Sequence, residues 1–139
     1  MGDEYTIRGS VVVPEVTRID LFDGSFKSGF RLKEIRIAPA KILDTAEYSV
    51  RLTTEDTGHR VDWNWADNLE VGWAAWNIPI ASRYGEFFWV DRDCTIIEDL
   101  YLDPSGVADE TLNYTLVLER VTMSGGMGAL NMVRNRSQG

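Results

Sequence analysis

Cysteine and histidine are nearly absent, with Cys94 and His59 the single representatives of their types in 139 residues. One cysteine excludes an intrachain disulfide framework, so it reads as a small buried hydrophobe. A cysteine nucleophile ordinarily takes its activation from a histidine, and His59 lies in the polar stretch Glu55-Asp56-Thr57-Gly58-His59-Arg60 with nothing tying it to Cys94. No apolar run approaches the roughly 20 residues of a membrane helix, and Met1-Gly2-Asp3-Glu4 is acidic where an export leader is basic. The expectation is a protein kept in the cytosol, or in a particle assembled there, without membrane contact.

Positive charge is also scarce where it would matter for polyanions. The sum is −8, and residues 55–119 carry fourteen acidic against three basic side chains. Residues 1–54 are balanced at eight of each, while residues 120–139 carry three arginines and no acid. Affinity for a phosphate backbone rests on clustered Lys and Arg, so nucleic acid is not an expected partner of the body.

What the chain does have is an ordinary globular composition, 44% apolar and 26% charged, at a length that suits one packed core. Apolar residues alternate with period two in several segments, the mark of strands with one face on a core. Tyr5, Ile7, Val11 and Val13 share a face, and Pro14 ends that run. Ile19 and Leu21 alternate before the turn residues Asp23-Gly24-Ser25, which predicts a hairpin. Between Phe30 and Ile37 the apolar phase shifts from even to odd positions, which predicts a bulge near Lys33-Glu34. Tyr48, Val50 and Leu52 predict a further strand, followed by a polar loop over 54–60, and residues 61–80 read as loop with short strands. Phe87-Phe88-Trp89-Val90 reads as a strand buried on both faces, with Trp89 in the core. Thr95 to Leu102 and Leu112 to Glu119 complete the set, separated by a turn at Asp103-Pro104-Ser105-Gly106. The pattern predicts an all-β fold, an antiparallel sandwich or jelly roll over residues 1–123. A glycine-hinged arm over 124–139, with a short helix from Ala129, is expected to follow.

No catalytic set, cofactor or metal site is assigned. The carboxylates Asp91, Asp93, Glu98, Asp99 and Asp103 read as solvated strand ends rather than an acid/base pair. Asp62, Asn64, Asp67 and Glu70, with Asp91 and Asp93, offer hard oxygen ligands for calcium, but their spacing matches no EF-hand. The turn Ser124-Gly125-Gly126-Met127-Gly128 lacks the Lys-Ser/Thr of a phosphate-binding loop and reads as a hinge.

The aromatic content is the strongest unusual feature. Four of five tryptophans, Trp63, Trp65, Trp73 and Trp76, fall within fourteen residues. Trp and Arg are enriched at the buried centre of protein interfaces, so these four are candidate self-association residues. The arm adds Met127, Leu130, Met132, Arg134 and Arg136, an apolar and basic surface suited to the acidic body of another copy. The alternative partner is a glycan, whose rings stack on exposed Trp faces beside Asn and Asp. Carboxylate enzymology on a β scaffold is a third reading.

Compact alternating strands, an acidic body, no catalytic set and the ending Met132-Val133-Arg134-Asn135-Arg136-Ser137-Gln138-Gly139 resemble small β-sandwich structural proteins of phage and other virus particles. The resemblance implies a virion role as capsid, decoration or tail subunit, a homo-oligomer held by edge strands and exchanged arms, with other virion proteins as further partners. That argument is one of likeness, since a fold carries no function by itself.

Overall fold

The computed structural model describes residues 4–21, 28–42, 46–77, 85–96 and 98–122. Eight strands run in chain order: β1 (Glu4–Val12), β2 (Thr17–Asp20), β3 (Ser28–Pro39), β4 (Tyr48–Thr53), β5 (Glu70–Asn77), β6 (Gly85–Val90), β7 (Asp99–Ser105) and β8 (Thr111–Thr122). They form a three-stranded sheet in the order β1-β8-β3 and a five-stranded sheet in the order β2-β7-β4-β5-β6, every pairing antiparallel. The two sheets pack face to face as an all-β sandwich. There is no helix among the described residues, so none is long and apolar enough to cross a membrane. The predicted helix and arm fall outside them.

The period-two alternation places the core. On the three-stranded sheet Leu112, Leu116 and Leu118 of β8 face inward, flanked by Val11 of β1 and by Leu32, Ile35 and Ile37 of β3. Across from them lie Ile19, Val50, Leu52, Ala74, Leu100 and Leu102 of the larger sheet. All seven of these leucines, with Ile35, have no exposed surface at all. Fully burying each such side chain contributes on the order of 1.5–3 kcal/mol against the entropy of ordering the chain.

Two bulges adjust which side chains face inward. In β3 the register with β8 shifts between Leu32 and Glu34, so Leu32 and Ile35 both reach the core, as the phase change predicts. In β5 the register with β4 shifts between Leu52 and Thr53, where Thr53 pairs with Glu70 and Leu52 with Gly72. Val71 therefore enters the core while Glu70 turns to the opposite, outer face of the sheet.

Several sequence expectations are corrected. The segment after Ile19 does not fold back as a hairpin: β2 pairs with β7 and β3 with β8, in different sheets. The turn at residues 23–25 lies outside the described residues. Asp103, Pro104 and Ser105 extend β7 rather than turning, and Thr95 and Ile96 precede that strand, Ile96 forming an isolated bridge to Phe30. Pro104 is tolerated because β2 pairs only as far as Leu102, leaving its side of β7 without a strand neighbour there. Residues 70–77 form one regular strand, where only short pieces were expected.

Candidate functional site

The outer face of the five-stranded sheet departs from simple alternation, because it is not open to water. Residues 54–69, between β4 and β5, fold back over it. Outward positions along β4, β5, β6 and β7 bring Arg51 opposite both Trp73 and Asp103, and Trp73 opposite Trp89.

A buried charge cluster holds the loop down. Arg51 and Asp103 are each 2% exposed, and Arg51 Nε donates to Asp103 Oδ2 at 2.9 Å. Arg51 Nη2 donates to Thr57 Oγ1 and to the Gly58 carbonyl, both at 2.8 Å, and Nη1 lies 3.7 Å from Glu70 Oε2. Asp103 in turn accepts from the Arg60 backbone N–H at 2.8 Å and from His59 Nδ1 at 2.6 Å. Glu70 accepts the Asn64 N–H on both oxygens, at 3.1 and 3.0 Å. Burial raises the Glu70 carboxyl above its ordinary value, against the Asn64 N–H and Arg51, which favour its charged form. Each charged group thus fastens a different point of the loop. His59 is committed to Asp103 on this outer face, whereas Cys94 packs against the core on the other, so the two do not form a pair.

Once fastened, the loop lays its tryptophans on the sheet. Trp63, Trp65, Trp73 and Trp89 form a continuous stack, with ring centroids 5.9, 5.0 and 4.4 Å apart and successive planes inclined by 29°, 9° and 20°. Trp73 is buried within it at 6% exposure, while Trp65 and Trp89 remain 60% and 46% exposed. Trp89 is therefore not a core residue. Phe87 of the same strand is 42% exposed and meets Trp63 edge-on at 5.5 Å and 87°. Side chains alternate along β6, the sheet's edge strand, so Phe87 and Trp89 face outward while Phe88 and Val90 pack inward. Trp63 Nε1 donates to the Val50 carbonyl at 3.2 Å, which ties the indole to β4.

Of the tryptophans expected to act together, Trp63, Trp65 and Trp73 do join one surface feature, and Trp89 joins them. Trp76 lies on the other side of β5, packed against the core. Met127, Leu130, Met132, Arg134 and Arg136 lie outside the described residues. The oxygen ligands considered for calcium close local turns instead: Asp67 Oδ1 accepts from Leu69 N, Asn64 Oδ1 from Ala66 N and Asp91 Oδ1 from Asp93 N. Among the described residues no group of three or more His, Cys, Asp or Glu side chains converges as a metal site would.

Beside the stack, where β4 and β6 begin and β5 and β7 end, lies a groove of about 500 Å³. Trp63, Trp76 and Phe87 supply its aromatic walls, and Glu47, Glu86 and Asn77 its polar ones. Neither Arg51 nor the groove glutamates stood out in the sequence. The available signal was a lone arginine between the small outward residues Ser49 and Thr53. Protein-family models, curated proteins and solved structures give no match to this chain.

Proposed function

We propose that this protein is a non-enzymatic, self-associating structural subunit, and that the assembly it belongs to is a particle such as a virus shell or tail. The observation that carries the reading is the contiguous exposed aromatic surface of Trp65, Trp89 and Phe87 on and beside an edge strand. A monomer gains nothing from leaving three large rings in water, and such patches mark interaction surfaces. The stack also weighs between partner classes. Trp65 and Trp73 each lie between two other indoles, so a sugar would find a free indole face only at the ends of the stack. A protein surface packs against edges as readily as faces. The virus setting rests on the sequence resemblance.

The test is mass by light scattering after size exclusion, over a wide concentration range. The wild-type chain is expected to associate, and Trp65→Ser with Trp89→Ser to shift it toward monomer. A wild-type chain that stays monomeric at high concentration would remove the proposal. A hit on a glycan array abolished by the same substitutions would replace it with carbohydrate recognition.

A further inference from the structure

Resting on the reading of self-association but on a different surface, we propose that two copies pair antiparallel through their β1 edges, with Thr6 facing Thr6 on the two-fold axis. The backbone offers the template. β1 lies at the edge of the three-stranded sheet and, among the described strands, pairs with β8 alone, in unbroken register over nine residues. Val13 donates to the Glu110 carbonyl at 3.0 Å and accepts from the Asp109 N–H at 2.8 Å, so its backbone groups point toward β8. On the far side of β8, the Thr111 carbonyl accepts from the Ala40 N–H at 3.0 Å, which turns its neighbour Leu112 toward Val11. Backbone groups alternate sides along an antiparallel strand. Tyr5, Ile7, Gly9 and Val11 therefore direct their N–H and C=O to β8, while Glu4, Thr6, Arg8 and Ser10 aim theirs at the open edge. The other edges offer less: β2 has only four residues, β3 is bridged at Phe30 by Ile96, and β6 carries the aromatic face.

The side chains select the partner and the register. Opposing residues must both aim at the shared edge, so a two-fold pairing is centred on one residue. Centred on Arg8, it sets guanidinium against guanidinium. Centred on Ile7, it sets Glu4 against Ser10 and Arg8 against Thr6. Centred on Thr6, it sets Glu4 against the partner's Arg8 and Arg8 against the partner's Glu4, while Tyr5 and Ile7 meet in the close positions between them. Opposite charges and aromatic with β-branched side chains are the cross-strand pairs that stabilise a ladder, whereas like charges weaken it.

A single chain leaves these groups poorly matched. Glu4 stands across from Glu119, like charge against like, and the nearby cation Lys33 is engaged with Glu119 at 3.8 Å. Tyr5 is 42% exposed and Ile7 half-buried, although both share the core-side face of β1 with Val11, which is 4% exposed. The apolar face of β1 thus opens to water over the same residues that the second copy covers.

The experiment compares full-length chains by sedimentation at high concentration: wild type, Glu4→Arg, Arg8→Glu and the two changes together. Each single change makes both charge pairs repulsive and is expected to weaken association about ten- to hundred-fold. The double change exchanges the charges and is expected to restore it, which follows only where Glu4 meets Arg8. Thr6→Pro removes the donor on the axis without touching the ladder to β8, so pairing should be lost while circular dichroism keeps the native sheet; if that variant does not fold, the charge series decides. In hydrogen exchange, the Thr6 and Arg8 N–H groups are expected to be fast where the wild type is monomeric and slow where it associates. Slow exchange in the monomer means that the chain covers its own edge, and overturns the proposal. Indifference to both single changes, or a double variant no better than the singles, also overturns it and leaves the aromatic contact standing. Association that survives Trp65→Ser with Trp89→Ser but not charge reversal supports the β1 pairing and removes the aromatic one. A wild type that never associates overturns both.

Discussion

Replacing Arg51 by methionine isolates the charge cluster beneath the loop. Methionine keeps most of the side chain's length and removes the guanidinium, leaving Asp103 and Glu70, both nearly inaccessible, without their shared cation. Breaking a buried pair from one side costs about 3–5 kcal/mol, because the remaining charge stays desolvated. Loss of the bonds to Thr57 and Gly58 adds to this, since both tie the loop. At about 2.1 cal/mol/K per residue, 139 residues carry an unfolding entropy of roughly 0.3 kcal/mol/K. The midpoint should therefore fall by roughly 10–17 °C in calorimetry at neutral pH. Adding Asp103→Asn and Glu70→Gln to Arg51→Met should return much of the loss, since neutral amides are far cheaper to bury than carboxylates. A midpoint within about 3 °C of wild type for the single variant, or no recovery in the triple, would refute the view that paired charge secures the loop.

Three further perturbations address other parts of the same architecture. Glu70→Gln should be at least as stable as wild type at pH 7. The folded carboxyl is raised, so its protonation contributes stability that is complete below the unfolded value near 4.3 and is lost as pH rises through the folded value. Denaturant titrations across mildly acidic pH should show that slope in the wild type and its disappearance in the variant. Trp73→Ala removes the buried member of the stack and should cost about 3–5 kcal/mol. The exciton signal of stacked indoles in circular dichroism should vanish, and amide exchange in residues 61–69 should accelerate. Gly9→Ala would put a methyl 2.7 Å from Tyr114 Oη and 2.9 Å from its Cζ, across the pairing of β1 with β8. Such overpacking costs about 1–3 kcal/mol, read as a lower thermal midpoint that Gly9→Ala combined with Tyr114→Leu restores.

The parts of this fold that were legible in the sequence are those with one face on the core and one in water. Tyr48, Val50 and Leu52 face inward as their alternation implies, and so does the whole leucine row of β8. The phase break at Lys33 is visible for the same reason, since a bulge leaves its trace in which positions stay apolar. Legibility failed where both faces of a strand are covered. Phe87-Phe88-Trp89-Val90 is continuously apolar, yet it sits at an edge, its outward rings meeting Trp63 of the loop and Trp73 of β5 rather than a second layer of core. Arg51 looks like a solvent residue by position, and only the return of residues 54–69 above it makes it a buried anchor. Pairing partners were equally out of reach, because nothing local to Thr17-Arg18-Ile19-Asp20 records that its neighbour is β7, some eighty residues onward. The aromatic surface was partly foreseen from clustering alone, while its geometry required the cross-strand register of Trp73 with Trp89.

The bridge between Phe30 and Ile96 has a mechanical consequence. Phe30 belongs to the smaller sheet, yet it exchanges two backbone hydrogen bonds, at 2.8 and 2.7 Å, with the segment leading into β7 of the larger one. Apolar contacts between two layers can slide under shear, whereas these two backbone hydrogen bonds must rupture before the layers part at this point. A load applied along the strands would accordingly pass from one layer to the other through that joint until it gives way.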